Sequence, residues 1–503
     1  MSHSPVFRPS FEEVQELSSR GNMIPVYAEA FLDLITPVAA YLKLCLDQEY
    51  AFLLESVAGG EKLARYSFLG VNPYRVAKVG AGHEFTGDPL KPVEQELAKY
   101  KFVPIPGLPM FTGGAIGYIS FDCVHSFEPH TAQPLQDNLP FLPEAIFMYC
   151  DTIVVFDHLR HQLRVVGHVR VPTSNHPEDL RSAYNSATQT VRQTLAQLCR
   201  VDTPVPVQGP IVLGNVAQSN QGQQGYERIV RDLKTHINKG DIIQAVPSQR
   251  LSRPTSLHPF NLYRHLRSIN PSPYMFFIQL GEVSLVGASP EMLVKVDENN
   301  LVETHPIAGT RRRGKTPAED DLLAAELLAD EKERAEHIML VDLGRNDMNR
   351  VCQPRSVKVP SLMHIERYSH VMHIVSTVTG TLRSEITPLD AFRSIFPAGT
   401  VSGAPKVRAV QLIQAQEQER RGVYAGSVGY FTYGGQLDTC IAIRTIVMHK
   451  GVAYLQAGAG IVFDSDPTSE YEETISKLNS SIAAIAQAER FYFDQQQQQQ
   501  QQQ

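Results

Sequence analysis

Apolar and polar positions along the chain switch repeatedly between the three-to-four spacing of helices and the alternation of strands. Residues 11–51 read as a helix, an extended piece and a second helix. In that second helix Thr36 serves as N-cap and Pro37 takes the first turn, where its missing N–H removes no bond; Val38, Leu42 and Cys45 recur at helical spacing. Strands are expected at 51–56 and 66–70 around a turn at Val57-Ala58-Gly59-Gly60, then in the glycine-rich run 113–119. Three more follow at 145–151, 152–157 and 162–171, the last two joined through His158-Leu159-Arg160. A partly polar helix over 175–200 has Asn175 as N-cap and Pro177 in its first turn.

Residues 201–225, rich in Pro, Gly, Gln, Ser and Asn and without periodicity, read as a linker. Beyond it the pattern predicts a helix at 227–239 stopped by Gly240, hairpins at 274–280/283–288 and 293–298/301–305, one long helical region at 317–342, and an apolar strand at 440–447. Nine glutamines after Asp494 form a homopolymer with no core to bury. The mixture gives an α/β chain of the α+β type. Its expected parts are an N-terminal lobe (1–202), a linker (203–225), a catalytic region (226–494) and the glutamine tail (495–503). With 503 residues, two domains and one large two-lobed body are equally compatible.

Forty-six Lys and Arg against 53 Asp and Glu leave a formal charge of -7, so no nucleic-acid or anionic-membrane surface is expected; a small anionic substrate stays possible. The six cysteines are far apart and form no C-x-x-C pair, which fits reduced thiols. The N-terminal residues show no secretory or import pattern, no stretch is apolar enough to span a bilayer, and cytoplasm is the expected location.

Several groups could carry chemistry. Glu336 lies on or beside the apolar face of its helix, shared with Met339 and Leu340; it reads either as a ligand of a hard cation or as an ordinary ion pair. Glu470 and Glu473, within an acidic cluster with Asp464, Asp466 and Glu472, would share one helix face with Lys477 one turn on, although such pairs are common on plain surface helices. Two glycine-rich turns, 397–406 and 456–461, could present backbone N–H groups to a carboxylate or could be structural only; neither is a phosphate loop. Arg444 in an apolar strand needs a carboxylate from the protein or from a substrate. His373 could be an acid–base group or a satisfied core histidine.

In chain order the distinctive peptides are Gly240-Asp241-Ile242-Ile243-Gln244, Ala288-Ser289-Pro290-Glu291, Pro306-Ile307-Ala308-Gly309-Thr310-Arg311, and the run 336–347 from Glu336-His337-Ile338 to Arg345-Asn346-Asp347. Pro397-Ala398-Gly399-Thr400, Tyr424-Ala425-Gly426, Gly458-Ala459-Gly460 and Glu470-Tyr471-Glu472-Glu473-Thr474 follow. From about Phe31 to Gln487 the chain resembles the chorismate-using enzymes, in particular the large, chorismate-binding component I of the anthranilate synthases. That resemblance implies a two-lobed sandwich of antiparallel-rich β-sheets flanked by helices. It implies amination of chorismate by ammonia followed by loss of pyruvate, the first step of tryptophan biosynthesis. Carried over, Glu336, Glu473 and Glu470 would hold Mg²⁺; Tyr424, Arg444 and the amides of Gly458, Ala459 and Gly460 would bind the enolpyruvyl carboxylate, with Lys477 nearby. Glu291 would be the general acid, Thr400 and Thr310 would position substrate or nucleophile, and His373 would assist pyruvate elimination.

Two positions separate the relatives. Water-using members carry a lysine where this chain has Gln244, and aminodeoxychorismate-forming members carry one where it has Ala308. Isochorismate, salicylate and aminodeoxychorismate synthases are therefore the weaker alternatives. Residues 53–56 and 270–275 resemble the inhibitor site of tryptophan-sensitive enzymes, which implies feedback inhibition with Leu54, Glu55, Ser56, Pro271, Tyr274 and Met275 around tryptophan. No Gly-x-Cys-x-Gly nucleophile turn is present, so use of glutamine implies a separate amidotransferase subunit, anthranilate synthase component II, and allows a hetero-oligomer.

Overall fold

Strand pairing between the two ends of the chain sets the architecture. In the computed structural model, which describes residues 5–30, 34–56, 65–174, 176–368 and 371–501, every ladder between named strands is antiparallel. Twelve strands form one sheet and ten lie on or beside the path of another. In the larger sheet Tyr50–Glu55 pairs with Tyr274–Leu280, and in the smaller one Gly114–Ile119 pairs with Ser427–Thr432. Residues on both sides of the 203–225 segment thus share each sheet. That segment is irregular up to the short strand Gln218–Ser219, and the next helix already begins at Gly222.

The sheets face each other across a core that includes Phe52, Ile116, Met148, Phe276 and Leu285. On the outer side of the larger sheet the helices Pro37–Cys45, Pro177–Leu198, Pro259–Ile269 and Pro467–Gln501 bury residues such as Tyr41, Leu195, Phe260 and Ile485. The smaller sheet is covered by Lys91–Leu97, Glu331–Asn349 and Pro388–Ile395 through Val93, Met348 and Phe392. The result is the expected helix-flanked antiparallel sandwich. Gly117 shows how close its strands lie, since a Cβ there would stand 1.7 Å from Ile146 O.

Local chemistry explains where elements begin. Thr36 Oγ1 accepts from Ala39 N, with Pro37 in the first turn as expected. Asn175 and the turn at 57–60 lie outside the described residues; the Pro177–Leu198 helix has His176 at its cap position.

Three expectations are corrected. The region 317–342 is two helices, Pro317–Ala329 and Glu331–Asn349, because Asp330 leaves helical geometry and caps the second by accepting from Lys332 N and Glu333 N. The run 440–447 is two strands in different sheets, Leu437–Ile441 and Thr445–His449. The C-terminal helix continues into the glutamines, where the Gln496 amide donates to Gly209 O at 2.9 Å and accepts from Ile211 N at 3.2 Å. Among the described residues no helix is long and apolar enough to cross a membrane.

The C-terminal helix is pinned to the larger sheet by a buried fork. Arg253 meets both oxygens of Glu489 at 2.9 and 2.7 Å, and Thr255 Oγ1 donates to the same carboxylate at 2.8 Å. Both charged side chains are at most 5% exposed. Glu489→Ala would strand a buried guanidinium, and chemical denaturation is expected to show a loss of roughly 3–5 kcal/mol.

Candidate active site

Two neighbouring steps between the sheets form one wall of the site. Val283–Ser289 belongs to the larger sheet and Met292–Val296 to the smaller, so Pro290 and Glu291 span the gap. In the other direction Ala442, Ile443 and Arg444 connect Leu437–Ile441 to Thr445–His449. Backbone groups that leave a ladder need new partners. Here Ile441 N donates to Glu291 O at 3.1 Å, Ala288 N donates to Arg444 O at 3.1 Å, and Ser289 Oγ donates to Ile441 O at 2.7 Å. Arg444 makes its turn with φ of 51°, a left-handed backbone uncommon outside glycine.

A cavity of about 640 Å³ opens against these steps. Glu291, His373, Thr400, Thr310, Tyr424, Arg444, Gly458, Gly460, Lys477, Glu336, Glu473 and Glu470 all line it. Segments from 244 to 481 converge here, including the acidic helix Glu331–Asn349 and the start of the C-terminal helix. Ala459 departs from expectation. It is fully buried, and its N–H is engaged with Tyr226 Oη at 3.2 Å and Pro247 O at 3.3 Å, so it has no free amide to offer a carboxylate.

Burial pushes the Glu291 carboxyl up to about 8, against the opposing influence of Thr400, Ile307 N–H and Lys477. Thr400 Oγ1 nevertheless makes no well-formed hydrogen bond among the described residues. Burial lowers His373. His373 Nδ1 lies 3.1 Å from Gly309 O and 3.0 Å from Thr310 Oγ1. A carbonyl needs a donor, so Nδ1 carries the proton in the neutral ring and Nε2 is the basic nitrogen. Arg444, also lowered by burial, donates to Lys477 O at 3.0 Å and Ser480 Oγ at 3.2 Å.

Of the three carboxylates expected at a metal, Glu336 and Glu470 are raised chiefly by burial, and Glu473 adds repulsion to each. Glu336 accepts from Gln244 Nε2 at 2.9 Å, while Glu473, about half exposed, pairs with Lys477 Nζ at 2.7 Å. Among the described residues no three such side chains stand close enough to hold an ion as they are. The all-oxygen donor set, with Glu473 repelling both Glu336 and Glu470, has the chemistry that a hard divalent cation takes.

Sequence reasoning passed over Lys332 and Glu333, which also line the cavity, and the support behind it. Fully buried Arg421 bonds Glu417, Val246 O and Val401 O, and Glu417 in turn accepts from Ser248 N at 2.7 Å. The i,i+4 spacing of Glu417 and Arg421 was legible in the sequence, but its burial was not.

Residues 49–483 match the chorismate binding enzyme family. Anthranilate synthase component 1 of Saccharomyces cerevisiae is 50% identical over 508 residues, covering 98% of this chain and 99% of that protein. The chain belongs to the anthranilate synthase component 1 family of chorismate-binding enzymes. Anthranilate synthase component I from Streptococcus pneumoniae superposes with a TM-score of 0.74 at 36% identity, covering 90% of this chain and 98% of that one. The menaquinone-specific isochorismate synthase of Escherichia coli, at 17% identity and a TM-score of 0.71, shares the fold.

Away from the cavity, this member of the anthranilate synthase component 1 family brings 54–56 beside 274–275, with Glu55 opposite Met275 and Leu54 opposite Phe276. Glu55 and Met275 face the outer helices, where Tyr263 Oη and Arg267 Nη2 donate to Glu55 at 2.6 and 2.8 Å. Leu54 and Tyr274 face the core between the sheets, and Tyr274 Oη donates to Asp438 at 3.0 Å. Ser56 Oγ is buried with no partner among the described residues, and Pro271 is partly buried beyond the Pro259–Ile269 helix. Four of the six residues expected around tryptophan therefore occupy two faces of one sheet, and Ser56 and Pro271 lie just beyond its strands.

At neutral pH, below its raised value of about 8, Glu291 should be protonated. Difference infrared spectra of the wild type against Glu291→Gln are expected to show a protonated-carboxyl band at pH 7 that disappears as pH rises through about 8.

Proposed function

We propose that the chain converts chorismate and ammonia to anthranilate, pyruvate and water, with ammonia released from glutamine by a separate amidotransferase subunit. The observation that carries this reading is one cavity lined by a buried carboxyl, Glu291, raised to about 8, together with Arg444, Lys477 and three further carboxylates. The 50% identity to the Saccharomyces cerevisiae protein supports it. In this reading the enolpyruvyl carboxylate of the dianionic substrate lies toward Arg444, Tyr424 and the Gly458–Gly460 turn, with Lys477 close by.

Glu336, Glu470 and Glu473 would hold Mg²⁺ against the ring carboxylate. When bound, the ion neutralises that carboxylate and helps spread charge out of the ring. Glu291 gives its proton to the ring hydroxyl, which leaves as water while the ammonia nitrogen bonds to the ring and sheds one proton. Thr310 and Thr400 orient the reacting groups. His373 Nε2 then accepts the ring C–H proton, the enolpyruvyl C–O bond breaks, and the released enolate takes up a proton as pyruvate.

Gln244 in place of a basic lysine supports ammonia as nucleophile over water, and Ala308 supports anthranilate over aminodeoxychorismate. We place the activity in the cytoplasm, where thiols such as the six free cysteines stay reduced.

Purified chain with chorismate, an ammonium salt and Mg²⁺ is expected to yield fluorescent anthranilate and equimolar pyruvate, both abolished by chelation; glutamine should replace ammonium only when the amidotransferase subunit is added. An aminodeoxychorismate, isochorismate or salicylate product would move the chain to a sister activity. Glu291→Gln is expected to lower kcat by about 10²–10⁴-fold.

Tryptophan is the proposed feedback inhibitor, bound where the strand end at Glu55 and Ser56 lies beside Met275. Ser56→Phe is expected to raise the half-inhibiting tryptophan concentration about tenfold, roughly 1.4 kcal/mol of binding, with the KM for chorismate unchanged. Unchanged inhibition would remove Ser56 from the site.

A further inference from the structure

Glu291 and Thr400 border a second, smaller chamber of about 30 Å³ as well as the main cavity. Its far wall includes Gly344 and Asp347, one turn apart on the acidic helix. A space of roughly 10–15 Å³ open to water centres is enough for one molecule, provided two to four polar groups receive it. Glu291, Asp347 and Thr400 are the polar residues of its lining with capacity to spare, and Thr400 Oγ1, which acts on the Glu291 carboxyl, is buried without a well-formed hydrogen bond among the described residues. Thr304 Oγ1, also in the wall, is already bonded to Leu293 O at 2.9 Å.

Asp347 in turn pairs with Lys406 Nζ at 2.7 Å, and that ammonium also donates to Ile395 O at 2.7 Å. Arg350 and Glu128 are the other charges that act on Asp347. The Asp347 and Lys406 side chains are 12% and 10% exposed, so the pair touches solvent. Burial raises Asp347 as it raises Glu291, which keeps both within reach of a proton.

We propose that the chamber binds one water joining Glu291 to Asp347, and that Glu291 regains its proton through it between turnovers. The proposal rests on the reading of Glu291 as the acid. After Glu291 has protonated the departing hydroxyl, its carboxylate takes a proton from the water. The water takes one from the Asp347–Lys406 pair, and the pair takes one from solvent. Only O–H and N–H bonds form and break, and no electrons change hands. Asp347 acts here as a relay group, and Thr400, which also borders the substrate cavity, as a positioning group.

Gly344→Ala tests this with little risk to the fold. The new Cβ would meet Thr304 Cγ2, Pro306 Cγ and Val378 Cγ2 at 3.5, 3.7 and 3.9 Å, ordinary contacts, and alanine favours the helix. Its Tm should hold or rise. We expect kcat to fall about tenfold, a fraction of what the acid itself supplies, with the KM for chorismate unchanged. High-resolution crystal structures should show the water in the wild type and its displacement in the variant. Asp347→Asn should lower kcat similarly while the water remains. Wild-type turnover in both variants, or no water in the wild-type chamber, overturns the relay. A wild type that holds the water but makes no anthranilate overturns instead the reading of Glu291 as the acid, and the relay with it.

Discussion

The chain must pass twice between two facing antiparallel sheets at almost the same place, and the site depends on how it does so. A strand that leaves its ladder abandons backbone partners that cannot stay unpaired in a dry interior. The steps at Pro290-Glu291 and at 442–444 solve this by bonding to each other, through Ile441 to Glu291, Ala288 to Arg444 and Ser289 to Ile441. An acid and a guanidinium from positions about 150 residues apart in the chain are thereby brought to the lining of one cavity. The left-handed backbone at Arg444 is a consequence of that turn.

The electrostatics follow from the same placement. Glu291 lies in the gap between the sheets, where desolvation dominates and favours the neutral acid. Of the three carboxylates on the acidic and C-terminal helices, Glu336 and Glu470 are raised by burial with repulsion from Glu473 added, while Glu473 itself is about half exposed. Two kinds of carboxyl chemistry can thus coexist in one cavity, because burial differs across it. Gly460 belongs to this arrangement: a Cβ there would press on Gln244 Nε2 at 2.5 Å and lie 3.3 Å from Glu336 Oε1, displacing the contact between them.

Much of the local structure was legible. The cap at Thr36, the hairpin 274–288 and the helical placement of Glu470 with Glu473 follow from turn chemistry and periodicity, which act over a few residues. The misses are equally physical. Asp330 followed by Glu333 carries a capping pattern, but the apolar positions around it suggest a continuous helix, and only the cap hydrogen bonds show the break. Cys440 to Val447 is apolar apart from Arg444 and Thr445, and apolarity is the same whether a strand stays in one sheet or changes to another. The glutamines gain contacts from the 208–211 segment, which no property of a homopolymer reveals.

By itself the sequence determined the element types, the antiparallel-rich α+β class and the identity of the groups able to do acid–base and anion chemistry, because propensity, capping and side-chain functionality are local properties. The order of its motifs also carried the family. Only the tertiary structure decided that Ala459 has no free amide, that the face holding Met275 meets the helices while Leu54 and Tyr274 meet the core between the sheets, and that burial raises Glu291. Those properties depend on which neighbours arrive from distant parts of the chain, and on how much water they exclude.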